Sequence, residues 1–163
     1  MTEIFAKPAV GAIIEKSVQN QDCILIQERQ KENGGTENGL VEIPAGKIRE
    51  YENIFDALRR EVWEETGLHI TEIQGEKDAV FNSVNGFKVM SFSPYCSTQN
   101  LSGGYSLILH TFLCRAEGTL LEKTNETTNM RWVSRETCKE MLTRNIESFF
   151  PMHVNALKKY LGI

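Results

Sequence analysis

Glu61, Glu64 and Glu65, in the stretch GKIREYENIFDALRREVWEETGL from Gly46 to Leu68, fall at offsets that a helix brings onto one face. Like charges this close repel, so such a helix needs a cation, or a basic partner such as Arg60, to neutralise them. A divalent metal is the economical answer. Between about Ile54 and Thr66 the apolar residues Ile54, Ala57, Leu58 and Val62 recur every three or four positions, which predicts one buried stripe. Gly67 suits a left-handed cap at the helix end. One face of this helix is for a core and another for ions.

Read as a pattern, the stretch runs Gly46, five residues, Glu52, seven residues, then Arg60, Glu61, Val62, any residue, Glu64, Glu65, any residue, Gly67 and Leu68. This resembles the Nudix box of MutT-like hydrolases at every fixed position. The one departure is Tyr51, where the family usually has glycine, and it bears on the loop's conformation rather than on a metal ligand. The resemblance implies an α/β fold, an α/β/α sandwich around a mixed sheet, with the whole of residues 1–163 as one domain. It also implies a hydrolase that cuts the pyrophosphate bond of a nucleoside diphosphate linked to another moiety.

Carboxylates are hard ligands suited to Mg²⁺ or Mn²⁺, and Mg²⁺ is usually held by a few of them together with waters and substrate phosphates. An ion on a pyrophosphate neutralises its oxygens and lowers the pKa of a bound water. By resemblance, Glu61 and Glu65 ligate metal, with Glu64 either a further ligand or the group that orients or deprotonates water. The carbonyl of Ala45 completes the set. Glu52 and Arg60 are expected to pair as carboxylate and fork and hold the frame. A further acid from a later loop is matched to Glu126, in KTNETTNMRWV ahead of Trp132.

At 163 residues and 40% hydrophobic content, the chain can bury one good core. A net charge of -4 with no long basic run leaves no footprint for a nucleic acid polymer. Cys23, Cys96, Cys114 and Cys138 lie far apart without zinc-type spacing and are expected to be buried thiols. The start MTEIFAKPAV has no secretory pattern, and no run approaches a membrane span, so a cytoplasmic setting is the expectation.

Elsewhere, AVGAII and CILIQER, residues 9–14 and 23–29, read as a hairpin turning near Gln19 to Asp22. Strand character recurs at 68–73, 80–81, 88–93, 107–115 and 130–134, and helices are expected over 135–143 and 151–161. Substrate choice must come from outside the box. Arg29 and Lys47 are candidates for substrate phosphates, and Tyr95 and Tyr105, in a long polar loop from Ser93 to Ser106, for stacking a base. His69, His110 and His153 read as surface or core residues, and Trp63 and Trp132 as packing.

The sequence PAG at 44–46 is similar to ADP-ribose and nucleotide-sugar hydrolases, while Ser93-Pro94-Tyr95 departs from their Ser-Pro-Gly motif. ADP-ribose, a nucleotide sugar and a nucleoside triphosphate all stay open as substrates, as does a homodimer. The alternative is a Nudix-like sensor that binds nucleotides without cutting them.

Overall fold

A computed structural model describes residues 1–163. Strand β1, Lys7–Val18, turns into β2, Gln21–Arg29, through Gln19 and Asn20, whose φ values of 50° and 62° are those of a primed hairpin turn. Short strands β3, Val41–Glu42, and β4, Ala45–Lys47, follow, then helix α1, Ile54–Thr66. Next come β5, His69–Ile73, β6, Val80–Val84, β7, Phe87–Ser91, β8, Cys96–Gln99, β9, Leu107–Glu117, and β10, Thr127–Ser134. The chain ends with α2, Arg135–Arg144, and α3, Pro151–Leu161.

The main sheet has the order β10, β2, β1, β9, β5, with β3 added to β2, β4 to β1 and β8 to β9. Only β1 and β9 run parallel, so the sheet is mixed. The central strand β1 is buried on both faces. Val10, Ala12 and Ile14 meet Ala57, Leu58 and Val62 of α1, while Ile13 meets Cys138, Leu142, Ala156 and Leu157 of α2 and α3. This is the expected α/β/α layering. Leu58 is fully buried in the first layer, where truncation to alanine removes about 2–5 kcal/mol.

Helix α1 starts where the Asn53 side chain accepts from the Phe55 N–H at 2.8 Å and stops at Gly67, whose φ of 78° is left-handed. Its bounds are those the apolar stripe predicts. Tyr51 also sits at positive φ, 60°, with its side chain wholly exposed. The position where the family carries glycine thus keeps a glycine-like backbone under a tyrosine.

Three expectations change. The loop expected over 93–106 contains the edge strand β8, hydrogen-bonded to β9, because a half-exposed edge does not need an apolar alternation. Strand β10 begins at Thr127 rather than Met130; a register shift, with Asn129 at φ 50°, breaks the pattern that would have revealed it. Cys96 is only half-buried, on β8, while Cys23, Cys114 and Cys138 are buried. No helix is long and apolar enough to cross a membrane.

Candidate active site

The acidic face of α1 forms one wall of a pocket of about 610 Å³, reaching across β2, β4 and β9 to the start of α3. Ala45, Glu61, Glu64 and Glu65 all line it, and so do Arg29, Lys47, Tyr105 and Glu126. Tyr95 does not. It lies at the outer end of β8 under the Lys159 ammonium, 4.4 Å from the ring centroid, against the α3 layer. Pairing of β8 with β9 separates the two tyrosines that the sequence placed in one loop, which corrects the expectation for Tyr95.

Arg60 is the hub of the acidic wall. Its Nε and Nη2 grip Glu52 at 2.7 and 2.9 Å, Nη2 also donates to the Lys47 carbonyl at 3.1 Å, and Nη1 donates to Glu61 at 2.7 Å. The Arg60 hydrogen bonds hold the Glu52 carboxyl down at about 2, and Glu52 in return holds the guanidinium well above its usual range. This fork ties the loop after β4 to the middle of α1.

Glu61 lies against Gly46, where a methyl group would occupy the space of its carboxyl. A side chain at position 46 would push the Glu61 carboxyl out of this place. Burial raises the Glu61 pKa, against the pull of Arg60. Glu64 is half-exposed, 3.4 Å from Arg60 Nη1 and 4.0 Å from Arg49 Nη2. Glu65 is buried, its Oε2 accepting from Gln27 Nε2 at 2.9 Å and from the Ala45 N–H at 3.1 Å. Burial first, and the Glu42 carboxylate second, push its pKa up to about 8.

Glu42 and Gln27 escaped the sequence reading. Glu42 is buried, accepts from Arg29 Nη1 at 3.1 Å, and shares the Gln27 amide with Glu65. The only sequence signal was a polar residue inside each of two apolar runs, CILIQER and GLVEIPAG. Arg29 is buried rather than solvated, its guanidinium 4.5 Å from the Phe150 ring centroid. Glu126 is exposed at the pocket mouth, 3.4 Å from Lys31 Nζ. His153, read as surface or core, is buried and also lines the pocket.

No three acidic, His or Cys side chains converge tightly enough here to enclose an ion, since Glu61 turns to Arg60 and Glu65 to Gln27. Each carboxylate takes the nearest donor. The donor chemistry nonetheless fits a hard divalent cation, because Glu42, Glu61 and Glu65 bring together carboxyl groups whose proton affinity is raised, first of all by burial.

The sequence model of the NUDIX domain matches residues 6–152. The chain belongs to the NUDIX family. With its box intact, this member is a Nudix pyrophosphohydrolase. Among solved structures, a MutT protein from Methanosarcina mazei is similar over 98% of this chain and 96% of its own, at 21% identity and a TM-score of 0.60. An Ap4A hydrolase from C. elegans is similar over 94% of each chain, at 14% identity and a TM-score of 0.55. The NUDIX domain of Shewanella oneidensis NrtR, solved with ADP ribose, is similar over 85% of this chain and 79% of its own, at 13% identity and a TM-score of 0.61. At these identities the likeness concerns the fold. No curated protein is similar enough to count as a match.

Proposed function

We propose that this Nudix member is a Mg²⁺-dependent enzyme that hydrolyses the pyrophosphate bond of a nucleoside diphosphate linked to another moiety. The observation that carries the reading is one pocket lined by Glu61, Glu64 and Glu65 of the acidic box and also by Arg29 against the Phe150 ring. Glu61, Glu65 and the Ala45 carbonyl are the residues that would hold a divalent ion, with Mn²⁺ as a substitute for Mg²⁺. Bound there, the ion neutralises pyrophosphate oxygens and makes water a better nucleophile at neutral pH.

The chain's own groups supply the rest. Glu64, the most exposed of the three helix acids, is the group assigned in this reading to orient a water and take its proton, with Glu126 at the pocket mouth as a further acid. Lys47 at the pocket edge counters the charge of the substrate phosphates, while Arg29 stands deeper, against the Phe150 ring. Water adds to phosphorus, the bridging P–O bond breaks, and two phosphorylated products leave with one proton released. Arg60 and Glu52 touch no substrate in this scheme; they are positioning residues.

Incubation of the purified protein with Mg²⁺ and a panel of ADP-ribose, nucleotide sugars and nucleoside triphosphates, with products separated by chromatography, tests the reading. A nucleoside monophosphate and a second phosphorylated product are expected from at least one compound, and neither from the Glu65→Gln protein. Binding of nucleotide without cleavage of any member would favour the sensor instead.

A further inference from the structure

We propose that the pocket end opposite the acidic helix selects a guanine base, presenting the His153 Nε2–H and the Arg29 guanidinium to its two adjacent acceptors. The proposal rests on the nucleotide reading above and narrows its substrate class.

His153 is 2% exposed, and its Nδ1 accepts the Ile43 backbone N–H at 3.1 Å. A ring nitrogen that accepts carries no proton, so the neutral imidazole holds its hydrogen on Nε2. That Nε2–H makes no hydrogen bond within the chain, and His153 stands on the pocket wall. Burial, helped by the neighbouring Arg29 charge, pushes the imidazole pKa down to about 3, so the ring stays neutral and its tautomer locked at working pH.

Arg29 flanks the same aromatic ring. Its guanidinium carbon lies 4.5 Å from the Phe150 centroid, and the His153 ring is 5.4 Å from it on the edge. Nη1 is bonded to Glu42 and Nη2 to the Tyr105 hydroxyl, yet each terminal nitrogen carries a second hydrogen. The Tyr105 oxygen takes Arg29 and donates to Glu37, while Glu42 takes Gln27 and Arg29. Leu107, Leu109 and Met152, with Tyr105 set edge-on to Phe150, complete an apolar wall suited to a flat heterocycle.

Such an end offers hydrogens and wants acceptors. Guanine presents O6 and N7 side by side, whereas adenine sets an amino donor beside N7. A donor buried against a donor is left unpaired, which disfavours adenine.

The test is titration calorimetry on the full chain with EDTA present, so that nothing turns over, using GDP, ADP and 7-deaza-GDP, in which N7 becomes CH. GDP should bind about tenfold or more tightly than either comparator. Addition of GDP should also shift the side-chain ¹⁵N resonance of His153 Nε2. In His153→Asn, whose amide oxygen stands where Nδ1 does and can accept from Ile43 while the hydrogen at the Nε2 position is lost, the preference should fall below about threefold. Equal affinities, tighter ADP, an unmoved Nε2 signal, or no nucleotide binding at all would overturn the proposal, and none of these needs a variant to fold. Cleavage of adenine and guanine substrates alike would remove the base preference and leave the hydrolase standing. A GDP preference without cleavage would do the reverse.

Discussion

The two ends of the pocket are built in opposite ways. The acidic wall comes from one unbroken stretch, in which Glu52, Arg60, Glu61, Glu64 and Glu65 are positioned by a single loop and helix. The aromatic end draws Arg29 from β2, Tyr105 from the segment before β9, and Phe150 and His153 from the start of α3. Chemistry that must hold its geometry is encoded locally, while the surface that meets the variable part of a substrate is gathered from distant segments. The first changes only by breaking; the second can be re-tuned one residue at a time.

Several variants would break or sharpen that contrast. The largest effect is expected for Glu65→Gln, which keeps the volume and the contacts to Gln27 and Ala45 but removes a carboxylate that we propose holds the ion: turnover should fall at least about 10²-fold. Circular dichroism should meanwhile match the parent. Arg60→Lys keeps the charge and loses the fork to Glu52, and a loss of about 10- to 100-fold in activity is expected, with part of it recovered at higher Mg²⁺. Recovery to parental rates by metal alone would mean that Arg60 only tunes affinity.

At the other end, Tyr105→Ala should raise KM by about tenfold with kcat little changed, while Tyr95→Ala, outside the pocket, should leave both alone. Equal effects of the two would erase the distinction between them. His153 gives a pH signature. Its folded pKa, about 3, lies below the ordinary 6.5, so the unfolded chain binds the extra proton between those values. Stability should therefore be full above about 6.5 and decline as pH falls toward 3, by up to about 1.4 kcal/mol per pH unit from this group. Urea melts of the parent and of His153→Gln should differ in that window and run parallel above it.

Smallest is Tyr51→Gly. Relief of a left-handed tyrosine, offset by the extra unfolded freedom of glycine, should stabilise by about 0.5 kcal/mol without altering kcat. A large change in rate would show that the exposed ring touches substrate.

Much of the fold was legible because period and punctuation coincide: the stripe Ile54, Ala57, Leu58, Val62 and the cap Gly67 bound α1 at both ends. Edge strand β8 and the bulged start of β10 were not, since hydrogen bonds to a neighbour, rather than an apolar pattern, define them. Glu42 and Gln27 were invisible for a related reason. A buried polar residue reads as an exposed one until its partner is known, and each of these finds it across the sheet or on α1.

By itself, the amino-acid sequence determined the helix, its glycine cap, the acidic box and thereby the family, because these depend on spacing within about six turns' length of chain. Only the tertiary structure decided which tyrosine faces the pocket, that Arg29 is buried between a carboxylate and an aromatic ring, and that His153 offers a fixed hydrogen there. Those facts arise where β2, β9 and α3 meet, and such meetings are set by the packing of the sheet against its helices, which no local pattern records.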